Sequence, residues 1–142
     1  MNRSELEHLI REAGKAVHDS EVIVFGSQAI LGSIPEAPEE LLRSNEVDLY
    51  PKNRPEGARF IDGSIGERSA FHLAFGYYGH GVSPEIATFP DGWEDRLVPV
   101  ANENTNGIIG WCVEVHEKLT STNNFRPCPL CRGKVTPSCA TN

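Results

Sequence analysis

Residues 22–51 constrain what this chain can fold into more than any other stretch. An uninterrupted apolar run, Val22-Ile23-Val24-Phe25, breaks at Gly26-Ser27, and Gln28-Ala29-Ile30-Leu31 follows with helix-forming character. A short apolar run closed by glycine reads as a strand buried on both faces, hence one in the middle of a sheet. Further on, Asn45-Glu46-Val47-Asp48-Leu49-Tyr50 alternates polar with apolar residues and stops at Pro51, the pattern of a half-buried strand. Side chains two apart on a strand share a face, so Glu46 and Asp48 project together while Val47 and Leu49 turn to a core. Two readings of the acids stand open: an ordinary solvated strand face, or a pair of hard oxygen donors for a divalent cation. Gly26 and Ser27 would let backbone N–H groups and a hydroxyl approach a phosphate at a helix N-terminus, or serve simply as a turn.

The flanking segments supply a frame for those two strands. Ser4-Glu5-Leu6-Glu7 has the form of a capping box, with Ser4 as N-cap. Leu6, Leu9, Ile10, Ala13 and Val17 then recur at helical spacing, predicting a sheet-covering helix that ends near His18-Asp19-Ser20. Glu39–Arg43 predicts a helical turn or two, and residues 51–69 a loop with a short helix. Phe71–Tyr78 is dense in aromatic residues, which either pack as core or stack a base, and His72 and His80 read as structural or surface groups. Glu85–Pro90, Trp93–Val100 and Ile108–Val115 predict three further strands, the last two joined through the hairpin signal Asn104-Thr105-Asn106-Gly107. One or two helices followed by a run of strands defines an α+β fold.

At 142 residues the chain holds one domain of ordinary globular composition. No segment has the length of apolar sequence a membrane span requires, and the N-terminus lacks a signal-peptide pattern, so a cytoplasmic location without membrane association is expected. The net charge of −7 argues against a surface given over to non-specific nucleic-acid binding. That charge is unevenly spread. Four of the 13 Lys and Arg but none of the 20 Asp and Glu lie in residues 118–142, so residues 1–117 carry −11 and the remainder +4.

Phe25-Gly26-Ser27 followed by Glu46-Val47-Asp48 resembles the polymerase-beta-type nucleotidyltransferase superfamily, marked by strand–Gly-Ser–helix and then a strand bearing two acids. Ile23–Leu31, Ser44–Pro51, Gly76-Tyr77-Tyr78 and Pro90–Leu97 together look like a little-characterised bacterial branch allied to the AbiEii/MenT toxins. The resemblance implies a nucleotidyltransferase-like mixed sheet with helices packed on one face. It also implies transfer of a nucleoside monophosphate from a nucleoside triphosphate to an acceptor such as RNA or a tRNA end, in a toxin–antitoxin or phage-defence setting with an antitoxin protein as partner. Glu46 and Asp48 would hold Mg²⁺ (or Mn²⁺), and Gly26, Ser27 and Gln28 would meet the nucleotide phosphates. Glu85, opening the next strand run, is the candidate for the third catalytic acid that members place on a neighbouring strand; Asp91 and Asp95 compete, though both more naturally serve turn and surface roles.

The resemblance runs to Glu117. Beyond it, members continue into a helix that walls the nucleotide site, whereas residues 118–142 lack helical periodicity and carry three of the four cysteines. Residues 1–117 are therefore expected to form the nucleotidyltransferase-like domain. Residues 118–142 are expected to be an atypical basic tail, disordered, with the C-terminal helical part missing or replaced by a shifted reading frame. The tail also carries a rival metal site: Cys128-Pro129-Leu130-Cys131 has the spacing of a zinc knuckle, and Cys139 with His116 or Cys112 would complete four ligands. The function classes this leaves are a metal-dependent nucleotidyltransferase, a truncated inactive protein of the same fold, and a small zinc-binding interaction module.

Overall fold

A computed structural model describes residues 1–85, 89 and 91–113. It has a mixed five-stranded sheet in the order β3-β2-β1-β5-β4 with helices, an α+β architecture. The helix α1 (Arg3–Val17) leads into β1 (Glu21–Phe25), then a 3₁₀ turn at Ser27–Ala29 and the single-turn helix α2 (Ile30–Ser33). Next come β2 (Glu46–Pro51), α3 (Ala58–Ile65), α4 (Ala70–Phe75), β3 (Tyr78–Gly81), β4 (Val98–Val100) and β5 (Ile109–Cys112). As its unbroken apolar run requires, β1 is the central strand, pairing antiparallel with β2 and parallel with β5.

The two faces of the sheet are chemically distinct. Val22, Val24, Val47 and Leu49 turn toward Leu6, Leu9, Ile10, Ala13 and Val17 of α1 and Ile61 and Ile65 of α3, forming one core. Ile23, Phe25 and Tyr50 face the other way into a smaller cluster that takes in Phe89, Trp93, Leu97 and Trp111. Strand alternation puts Glu46 and Asp48 on this second face, in line with Tyr50. The helices α1 and α3 thus back the sheet, and the acid pair opens on the opposite side.

Several boundaries differ from the sequence reading, each for a local reason. The first helix is capped two residues earlier than Ser4: the Asn2 side chain accepts from the Glu5 N–H at 2.9 Å and Glu5 Oε1 accepts from the Asn2 N–H at 2.8 Å. Glu7, expected to complete the Ser4 cap, is instead buried and accepts from Arg3 Nε at 2.9 Å, Asn102 Nδ2 at 2.7 Å and Asn104 Nδ2 at 2.8 Å. Trp93–Arg96 is a 3₁₀ turn rather than strand, because Gly92 in the left-handed region turns the chain immediately before it, and only Val98–Val100 pairs. Phe71–Tyr78, read only as aromatic, holds α4 and the start of the edge strand β3. The Asn106-Gly107 turn forms as expected, both residues at positive φ, between the antiparallel β4 and β5. The strand reading of 85–90 falls largely outside the described residues, as do the tail from 118 and its Cys128, Cys131 and Cys139.

The Glu7 network fastens α1 to the turn after β4 and gives the fold an acid-sensitive point. Burial pushes the Glu7 carboxyl up, but the hydrogen bonds from Asn104, Asn102 and Arg3 and the nearby Arg3 charge more than offset this and hold it below its ordinary value. A depressed folded-state value means that the stabilisation is present above the unfolded value and is lost as pH falls through the folded one. Denaturant melts across pH 7 to 3 are therefore expected to show stability falling below about pH 4.5. In Glu7→Gln the slope over that window should be shallower; an unchanged slope would remove Glu7 as its source.

Candidate active site on the sheet face opposite the helices

Three elements converge where β1 ends. Phe25 pairs with Asp48 across the β1–β2 ladder, so the Gly26-Ser27 turn leaves the sheet directly beside the acid strand. Gly26 adopts φ 90° and ψ −174°, a conformation essentially confined to glycine. A Cβ placed there would lie 3.0 Å from Asp48 Oδ2. Backbone and carboxylate pack so closely that only the absent side chain leaves room for both. The sequence-predicted Gly26 and Asp48 are thus brought together, with Glu46 two residues along the same face.

Ser27 is exposed, and Gln28 behind it is 1% exposed. Gln28 Nε2 donates to Ser27 Oγ at 3.2 Å and to the Leu41 carbonyl at 3.1 Å. The helix expected after Ser27 is only the 3₁₀ turn and the four-residue α2, too short for an aligned helix dipole to matter. Whatever attraction the turn has for an anion must come from the Ser27 hydroxyl and local N–H groups.

The strand beside β2 carries groups that the sequence did not advertise. Parallel pairing sets Tyr78 opposite Glu46 and His80 opposite Asp48. The Tyr78 hydroxyl donates to Glu46 Oε2 at 2.7 Å. That bond, with burial and the Glu46 charge, pushes the phenol up to about 12. His80 Nδ1 lies 3.1 Å from Asp62 Oδ1, which also accepts from the Gly81 N–H at 2.9 Å. Glu85 stands in an exposed turn past the end of β3. Among the described residues no three His, Cys, Asp or Glu side chains cluster as a metal site.

The Tyr78 contact is directly measurable. Burial, then Glu94, raises Tyr50, and burial, then Glu5, raises Tyr77, so all three tyrosines lie above their ordinary 10.0. Absorbance at 295 nm should show little tyrosinate in the folded protein at pH 10, and Glu46→Gln should bring one phenol down. Since the unfolded chain loses its tyrosyl protons first, stability from this bond is complete below pH 10 and disappears as pH rises toward 12. Titrations of Glu46→Gln and wild type that overlay would refute the contact.

The other aromatic residues divide between the two faces. Phe71, Phe75 and Tyr77 pack around the His8 ring, with centroids 4.9, 4.7 and 5.8 Å away. His8 Nδ1 is 2.7 Å from the Tyr77 hydroxyl, and burial lowers its basicity. These rings lie with α1, not beside the acids, and a pocket of about 290 Å³ there is lined by Ser4, Glu5, His8, Arg11, Tyr77 and Asn104, none a sequence-predicted site residue. The group sharing the acid face is Phe25, Tyr50, Phe89 and Trp93, with Phe89 and Trp93 stacked at 4.5 Å. Cys112, offered as a zinc ligand, is buried against Gly32, and burial pushes its thiol up to about 12; the other proposed ligands lie outside the described residues.

Comparison of the chain with protein-family models, curated proteins and solved structures returns no match.

Proposed function

We propose that the protein is a metal-dependent nucleotidyltransferase that moves a nucleoside monophosphate from a nucleoside triphosphate to an acceptor hydroxyl. An RNA end such as that of tRNA is the acceptor class, and an antitoxin protein the partner class, that the family resemblance suggests. The observation that carries the reading is the packing of Gly26 against Asp48, which sets a glycine-serine turn beside two carboxylates on one strand face.

The donor set suits the implied ion. Mg²⁺ takes one or two carboxylates and completes its shell with water and substrate phosphate, a donor set that the half-buried Glu46 and Asp48 can supply. Bound there, the ion would supply positive charge to the triphosphate and to departing pyrophosphate. The chain's own part is to bind and orient. Ser27 donates to a terminal phosphate oxygen, the Cβ-less Gly26 admits the phosphates close to the backbone, and Tyr78 holds one Glu46 oxygen so that the other faces the site. The oxygen of the acceptor hydroxyl then bonds to the α-phosphorus, its proton passing to solvent, as the bond from that phosphorus to the bridging oxygen breaks and pyrophosphate leaves.

A second reading, an inactive protein of the same fold, is favoured by one observation: no third carboxylate joins Glu46 and Asp48 among the described residues. Incubation with Mg²⁺ or Mn²⁺, each labelled nucleoside triphosphate in turn, and total RNA separates the two. Metal-dependent label on RNA is expected. No label with any nucleotide would leave the inactive reading in possession.

A further inference from the structure

We propose that Gln28 is a positioning residue that fixes the direction of the Ser27 hydroxyl, so that the hydroxyl hydrogen points out of the turn toward a bound phosphate. The inference rests on the reading of Ser27 as a phosphate ligand and adds what orients it.

Gln28 is 1% exposed, and its amide nitrogen reaches the Leu41 carbonyl at 3.1 Å and Ser27 Oγ at 3.2 Å. A primary amide has two N–H donors, and both are thereby committed. Its Oε1 is buried and has no hydrogen-bond partner among the described residues. An unpaired buried acceptor is costly and needs a reason. Turning the amide over would not remove the cost, because Oε1 would then oppose the Leu41 carbonyl, acceptor against acceptor. Leu41 therefore sets the orientation, and that orientation aims the second N–H at Ser27 Oγ.

A serine hydroxyl that accepts from a fixed donor has one hydrogen left to give, directed away from that donor. In water a free hydroxyl rotor would sample all its positions and spend part of its time donating to the protein. Here Gln28 removes the choice, so the hydroxyl meets an anionic oxygen already oriented. Leu41 ends a 3₁₀ turn, Glu39–Leu41, that precedes β2 in the chain, so the same amide couples the Gly26-Ser27 turn to the approach of the acid strand.

The probe is the Mg²⁺ complex of inorganic tripolyphosphate, titrated calorimetrically against wild type, Ser27→Ala, Gln28→Met and the double variant, with melting temperatures recorded alongside. Ser27→Ala is expected to weaken binding about tenfold or more. Gln28→Met should weaken it by a similar factor, and the double variant by no more than Ser27→Ala alone. Multiplying losses would show that Gln28 acts apart from Ser27 and would overturn the inference while leaving Ser27 a ligand. No wild-type binding would overturn the phosphate reading and this inference together. Because Gln28→Met strips a donor from the Leu41 carbonyl and can unfold the chain, a second measurement uses the exposed Ser27 alone. The Gln28 side-chain amide proton resonances of wild type should move in Ser27→Ala and on adding the tripolyphosphate complex. Resonances indifferent to both would refute it.

Discussion

Asp48→Ala is expected to reduce metal-dependent transfer of label by on the order of a thousand-fold while leaving a chain that folds. Holding a divalent ion against the triphosphate is worth several kcal/mol of charge stabilisation, and every 1.36 kcal/mol is tenfold in rate. Asp48 stands where the turn and the acid strand meet, opposite Phe25 in the ladder and against Gly26. It is only part-buried, and its strand is held by Val47 and Leu49 from the helix side, so losing the carboxylate does not open a core cavity. The melting temperature should stay within about 5 °C of wild type. Glu46→Gln should lose activity as well, and Tyr78→Phe less than either, because the phenol only orients Glu46. Transfer by Asp48→Ala at the wild-type rate would remove the acid pair from the chemistry.

The parts of the fold legible in the sequence are those whose pattern is local. The run Val22–Phe25 declared a central strand, and the alternation over Glu46–Leu49 placed both acids on one face, because strand periodicity is a property of neighbours in the chain. What stayed hidden depends on distant partners. Glu7 looked like part of a helix cap until Asn102 and Asn104 arrived from far along the chain to bind it. The edge strand β3 escaped notice because two of its four residues are glycine, a composition that normally argues against strand. The reason is packing: a Cβ at Gly79 would lie 2.7 Å from Leu49 Cδ1 and 2.9 Å from Ile65 Cδ1, so the tips of these two side chains fill the space it would take. Without β3 the sequence pattern sets neither Tyr78 nor His80 beside the acids, and it points to Glu85 for the third acid, beyond the strand that borders β2.

Gly26→Ala tests the same site from its backbone. Its φ of 90° with ψ near 180° belongs to glycine, and holding a residue with a Cβ there costs about 1–3 kcal/mol. The new methyl would also stand 3.0 Å from Asp48 Oδ2, closer than such contacts normally come, so the carboxylate must swing aside or the turn must move. A loss of about 2 kcal/mol, on the order of 5–10 °C in melting temperature, is expected. The control is Gly63→Ala in α3, where an added Cβ meets nothing within 4 Å and helix propensity favours alanine by up to about 1 kcal/mol. The two substitutions add the same methyl and should shift stability in opposite directions. Transfer should fall further in Gly26→Ala than the unfolded fraction explains, because the displaced group is Asp48 itself. If Gly26→Ala instead melts with wild type and transfers label normally, the close packing of turn and carboxylate is not what builds the site.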